Sequence, residues 1–119
     1  MRRRGERGVV TAELAMGLPL LLALTVALVW VLSVGYAQIR LVDATREAAR
    51  ALARGDSEEQ ARRAAVRVAP EGASFAFGTA DGLVTVQGRA RVDDAGLAIR
   101  VAPSVRLRAE AIALAEEDR

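Results

Sequence analysis

The sequence predicts an α+β protein. A long N-terminal transmembrane helix continues into an amphipathic helix, a short second helix follows, and a small antiparallel β-sheet closes the chain. Three observations lead there. Residues 14–39 carry no charge at all. Residues 40–70 then show apolar positions at helical spacing. After Gly72 the apolar period changes to two, punctuated by Asp-Gly and Asp-Asp-Ala-Gly turn signals.

Four regions follow from this reading. Residues 1–8, MRRRGERG, form a basic cytoplasmic leader broken by glycines. Residues 9–39 form the span, which exceeds the roughly 20 apolar residues that cross a bilayer as a helix. Its leucines, alanines and valines suit lipid, and Pro19 is tolerable in a membrane helix. Trp30 and Tyr36 lie toward its far end, where aromatic rings favour the interface. Residues 40–70 hold the juxtamembrane amphipathic helix and the short helix. Residues 71–119 hold the sheet and an acidic tail that includes Glu116.

The juxtamembrane helix places Leu41, Ala44, Ala48 and Leu52 on one stripe, and Glu47 can reach Arg50 one turn on. Gly55 supplies a stop. In the short helix, Ser57 and Gln60 fit a capping box, and Glu58–Arg62 and Glu59–Arg63 are favourably ordered pairs. Its apolar stripe is Ala61, Ala64, Ala65 and Val68, and Pro70 and Gly72 end it. A first strand begins at Ser74, and a turn falls at Asp81-Gly82. Residues 83–92 alternate, with Val84, Val86, Ala90 and Val92 facing inward. Leu97, Ile99 and Val101 mark a third strand. Residues 105–114 read as a fourth strand, with helix as the alternative that their alanines favour. The apolar face of the sheet is expected to pack on the stripe of the juxtamembrane helix.

Composition narrows function. The chain has neither cysteine nor histidine, which removes thiolate chemistry, the commonest general base and the commonest zinc ligand. No enzyme, cofactor or metal site is expected. Every basic residue is arginine, spread among acids, and aromatics number only four, so no nucleic-acid partner and no small-molecule substrate are expected. Asp81, Asp93 and Asp94 read as turn residues.

Glu13 stands out, because a carboxylate is costly within a membrane segment. If the chain were cut after Gly8, Val9 would become a free N-terminus and Glu13 the fifth residue. The ammonium of one subunit could then neutralise the carboxylate of another, which gives Glu13 a role in subunit assembly. The denser arginine cluster (Arg2, Arg3, Arg4 and Arg7, against Glu6) should stay cytoplasmic, with the C-terminal region outside.

A basic leader ending in glycine, followed by a glutamate five residues on and an apolar run, resembles the leader of type IV pilin-like precursors. The first mature residue, Val9, departs from the phenylalanine common in major pilins. Thr45-Arg46-Glu47-Ala48-Ala49-Arg50 is similar to the Ala-Arg-Glu-Ala-Ala-Arg stretch of TadE-like pseudopilins, with Thr45 replacing the first alanine. The resemblance implies a minor pilin or pseudopilin of a Tad/Flp-type tight-adherence pilus. Its precursor would be cut between Gly8 and Val9 by a prepilin peptidase. Its partners would be other pilins or pseudopilins and the Tad secretion platform in the membrane. Arg46, Glu47 and Arg50 are candidates for an interaction surface. Two rival expectations are a secreted domain cut by signal peptidase after Ala37 and an unprocessed single-pass anchored protein.

Overall fold

The computed structural model describes residues 2–93 and 103–116, with side chains from residue 5 onward. In chain order the elements are α1 (Arg2–Ala53), α2 (Glu58–Val68), β1 (Ser74–Ala80), β2 (Leu83–Val92) and β3 (Val105–Leu114). This is the expected α+β arrangement. The chain divides into two compact units, Met1–Leu32 and Ser33–Arg119.

The first unit is helix alone. Leu18, Leu20, Leu21 and Leu22 are all exposed although they point to different sides of the helix. A helix that is apolar all round needs a core or lipid as its surroundings. Thr25 satisfies its hydroxyl within the helix by donating to the Leu21 carbonyl (2.8 Å), as a hydroxyl in lipid must. Pro19 lies inside α1 and has no N–H to donate. The helix begins at Arg2 rather than near Val9, so it runs through Gly5 and Gly8.

The second unit packs helix on sheet. Leu41, Ala44 and Ala48 of α1 are wholly buried, as the stripe required, and Leu52 is half-buried. They share a core with Ala61, Ala65 and Ala69 after the turn, and with Phe75, Val84, Val86, Ala90 and Leu107 of the sheet. The inward stripe of α2 continues through Ala69 rather than Val68, which is exposed.

Each helix end has a physical cause. Gly55, at φ 95°, closes α1. The Gly55 N–H reaches the Leu52 carbonyl (3.0 Å) and the Asp56 N–H reaches the Ala51 carbonyl (3.1 Å), the paired bonds of a Schellman motif. Ser57 and Gln60 form the reciprocal capping box of α2: the Gln60 N–H donates to Ser57 Oγ (3.2 Å), and the Ser57 N–H to Gln60 Oε1 (2.9 Å). At the other end of α2, Arg40 donates from Nε to the Val68 carbonyl and from Nη2 to the Ala69 carbonyl, both at 2.9 Å. A guanidinium forked onto carbonyls at a helix C-terminus satisfies otherwise unpaired acceptors and opposes the negative dipole end.

The sheet order is β1-β2-β3, antiparallel throughout. Asp81 (φ 53°) and Gly82 (φ 74°) make the β1–β2 turn, and two successive positive φ values define the type I′ geometry that Asp-Gly favours. Residues 105–114 form a strand, not a helix. It pairs directly with β2. The expected strand at Leu97, Ile99 and Val101 lies outside the described residues.

Gly88 of β2 marks where sheet and helix come closest. A Cβ there would lie 2.5 Å from Thr45 Oγ1, 3.1 Å from Leu41 Cδ1 and 3.2 Å from Phe75 Cε1. Thr45 is wholly buried, and its hydroxyl donates to the Leu41 carbonyl at 2.6 Å, which holds its rotamer. Gly88→Ala should therefore destabilise the protein by ~1–3 kcal/mol through overpacking. The same substitution should cost less in a Thr45→Ala background, where Oγ1 is gone. Chemical denaturation of the four chains of this cycle measures it. Arg40→Ala should cost ~1 kcal/mol, with Arg40→Lys restoring only part, because an ammonium cannot reproduce the fork.

Candidate processing and assembly segment

Gly8, Val9 and Glu13 all lie on α1 and are exposed. Thr11 donates its hydroxyl to the Arg7 carbonyl (2.8 Å), so the helix is bonded across the Gly8–Val9 junction. A side chain added at Gly8 would meet nothing within 4 Å, so packing does not require glycine there. Glycine does lower helix propensity, by about 1 kcal/mol relative to alanine, and so eases local unwinding at the junction.

Glu13 shares one helix face with Val10, Leu14, Gly17, Leu18 and Leu21, which together line a shallow groove. The carboxylate is thus set among apolar side chains on the outside of the helix. Gly17, one turn on, leaves room for another helix to come close. Among the described residues no group of three or more Asp or Glu side chains could hold a metal ion.

Arg46, Glu47 and Arg50 belong to the second unit and sit far along α1 from Glu13 in sequence. Arg46 and Arg50 are exposed and Glu47 is half-buried. Two expected ion pairs do not form among the described residues. Glu47 is not paired with Arg50, and Glu58 is not paired with Arg62. Arg62 instead donates to the Phe75 carbonyl (3.5 Å) and lies over the Phe77 ring, 5.2 Å from its centroid. The Glu59–Arg63 pair forms as expected. Asp93 pairs with Arg91 at 3.0 Å.

Two residues with structural roles escaped the sequence reading. Arg40, the first charge after the apolar run, caps α2 and lies over Tyr36, 5.7 Å from the ring centroid. Gln38 donates from Nε2 to the Arg108 carbonyl (3.1 Å) and so ties the end of the apolar run to β3. Neither had a local signal, since both partners are backbone carbonyls distant in sequence.

These features define a class: a protein with a helix long and apolar enough to cross a membrane, carrying a small α+β unit on the same helix. Residues 8–50 match the family model of the TadE-like proteins. The match begins at Gly8 and ends at Arg50, so it contains Val9, Glu13 and the Thr45–Arg50 stretch. Over that segment the chain is similar to the TadE-like proteins. No curated protein and no solved structure matches the chain.

Val34 and Ala37 are partly buried against the core of the second unit, and Gln38 is hydrogen-bonded to it. A chain beginning at Gln38 should therefore unfold at a lower urea concentration than one beginning at Ser33. Equal midpoints would show that the helix before Gln38 adds nothing to the fold.

Proposed function

We propose that this protein is a minor pilin or pseudopilin that takes part in the biogenesis of a Tad/Flp-type pilus, and that it acts as a structural subunit rather than an enzyme. A prepilin peptidase cuts the precursor between Gly8 and Val9. The mature helix stays in the cytoplasmic membrane, with the basic leader side facing the cytoplasm and the α+β unit outside. Other pilins or pseudopilins and the Tad secretion platform are its partners.

One observation carries the reading. Within the segment that matches the TadE-like family, Glu13 is a lone exposed carboxylate on an otherwise apolar helix face, five residues after Gly8. In lipid such a group needs a partner of opposite charge. The Val9 ammonium freed by cleavage supplies one in a neighbouring subunit. Arg46 and Arg50, both exposed, and the half-buried Glu47 remain candidates for contact with other components. The reading in which signal peptidase cuts after Ala37 would separate the folded unit from Val34 and Ala37, which pack on its core.

Glu13→Ala tests the proposal. Removing one member of a buried charge pair costs about 3–5 kcal/mol, so subunit association should weaken by at least ~100-fold. Assembled pili should disappear from the cell surface while the variant still fractionates with membranes. Normal piliation would overturn the role given to Glu13. Gly8→Leu should leave the fold unchanged, since the site is open, and should accumulate the uncut precursor on a gel.

A further inference from the structure

The outward face of the sheet carries four arginines at one end. Arg89 stands directly opposite Arg108, and Arg91 directly opposite Arg106, in the β2–β3 register. All four are exposed. Like charges placed directly across a strand pair destabilise a sheet. Of the four, only Arg91 has an ion-pair partner among the described residues, Asp93, and it also donates to Ser104 Oγ (3.1 Å). With Ser74 and Gly72, the four arginines line a shallow groove.

The position of this cluster along α1 says what it meets. The Arg108 carbonyl accepts from Gln38, and the Glu116 N–H donates to the Ala53 carbonyl at 2.9 Å. β3 therefore runs alongside the second unit's part of α1 in the same direction, and its start lies at the end nearer the apolar run. The charge-free run extends to Ile39. A strand advances about 3.3 Å per residue and a helix about 1.5 Å. Arg106 and its opposite number Arg91 are thus roughly level with the last turns of that run. Where the run leaves the hydrocarbon, the surroundings are phospholipid headgroups. Arginine side chains are long enough to reach sideways and down into that layer, and their planar forks match phosphate oxygens.

We propose that Arg89, Arg91, Arg106 and Arg108 form a docking surface for the anionic phospholipid headgroups of the membrane that α1 crosses. The surface fixes the α+β unit against the bilayer before assembly. The repulsion built into the two opposed pairs is relieved when phosphates sit between the guanidinium groups. This proposal rests on the reading of α1 as a membrane span.

The test uses the full chain reconstituted into vesicles of phosphatidylcholine, with or without phosphatidylglycerol. Phenylglyoxal modification, read by peptide mass spectrometry, reports each arginine separately, so the N-terminal arginines do not confuse the result. Phosphatidylglycerol should slow modification of the four arginines on the order of tenfold, while phosphatidylcholine alone leaves it fast. In a chain with Arg89→Gln, Arg106→Gln and Arg108→Gln, the protection of Arg91 should be lost. The corresponding lysine substitutions should retain most of it. Circular dichroism should show the glutamine chain melting no lower than the parent, since like charges have been removed. Equal rates in both lipids would overturn the proposal. So would protection in both lipids, which means cover by protein, or protection that appears only when acidic membrane proteins are added. Failure of the chain to float with either vesicle would overturn the span reading, and the proposal with it. Flotation therefore separates the two failures.

Discussion

The second unit depends on how closely β2 can approach α1. Gly88 has no side chain, and the space a Cβ would need is filled by Thr45, Leu41 and Phe75. Such a contact lets a helix with mostly alanine on its inner stripe touch a sheet without leaving voids. The largest wholly buried side chains are only Leu41, Val86 and Thr45. A core of this size has little free energy to spare, roughly 3–5 kcal/mol for a domain of this length. Hence the value of fixed ends: the Schellman turn at Gly55, the capping box at Ser57, the Arg40 fork on α2 and the Glu116 bond to Ala53. Each replaces contact area with a satisfied polar group.

The elements legible in the sequence are those whose signal is local. Gly55, the Ser57–Gln60 pair, the Asp81-Gly82 turn and the alternation of residues 83–92 each announce their structure within a few residues. The buried stripe Leu41, Ala44 and Ala48 was legible for the same reason. What was not legible depends on pairing between distant segments. Residues 105–114 read as a strand against alanines that favour helix, and their pairing with β2 bears that out, but the pairing register is not written in them. Arg40 and Gln38 look like flanking polar residues until Val68, Ala69 and Arg108 are brought beside them. The Glu47–Arg50 and Glu58–Arg62 spacings were right for ion pairs that exposed side chains gain little by making. The proposed site at Gly8, Val9 and Glu13 rests on a local signal, one charge in an apolar run behind a basic, glycine-ended stretch.

The same helix has the composition for two solvents. Between Val9 and Leu32, α1 presents leucine on several sides and one carboxylate, Glu13. Toward its end, it presents a narrow stripe of small residues to a sheet and charges to water. Uniform apolarity is what a bilayer rewards, and amphipathicity is what a folded domain in water rewards. The TadE-like match covers both regimes, from Gly8 to Arg50. The sheet, with its arginine face and its exposed Ile112 and Leu114, lies outside the matched residues.

The account turns on whether Glu13 acts beside a new N-terminus. The most direct measurement is the mass of the N-terminal peptide of the protein purified from its native membrane. The account predicts a chain that starts at Val9. A chain that starts at Gln38, or that retains the leader, would contradict it.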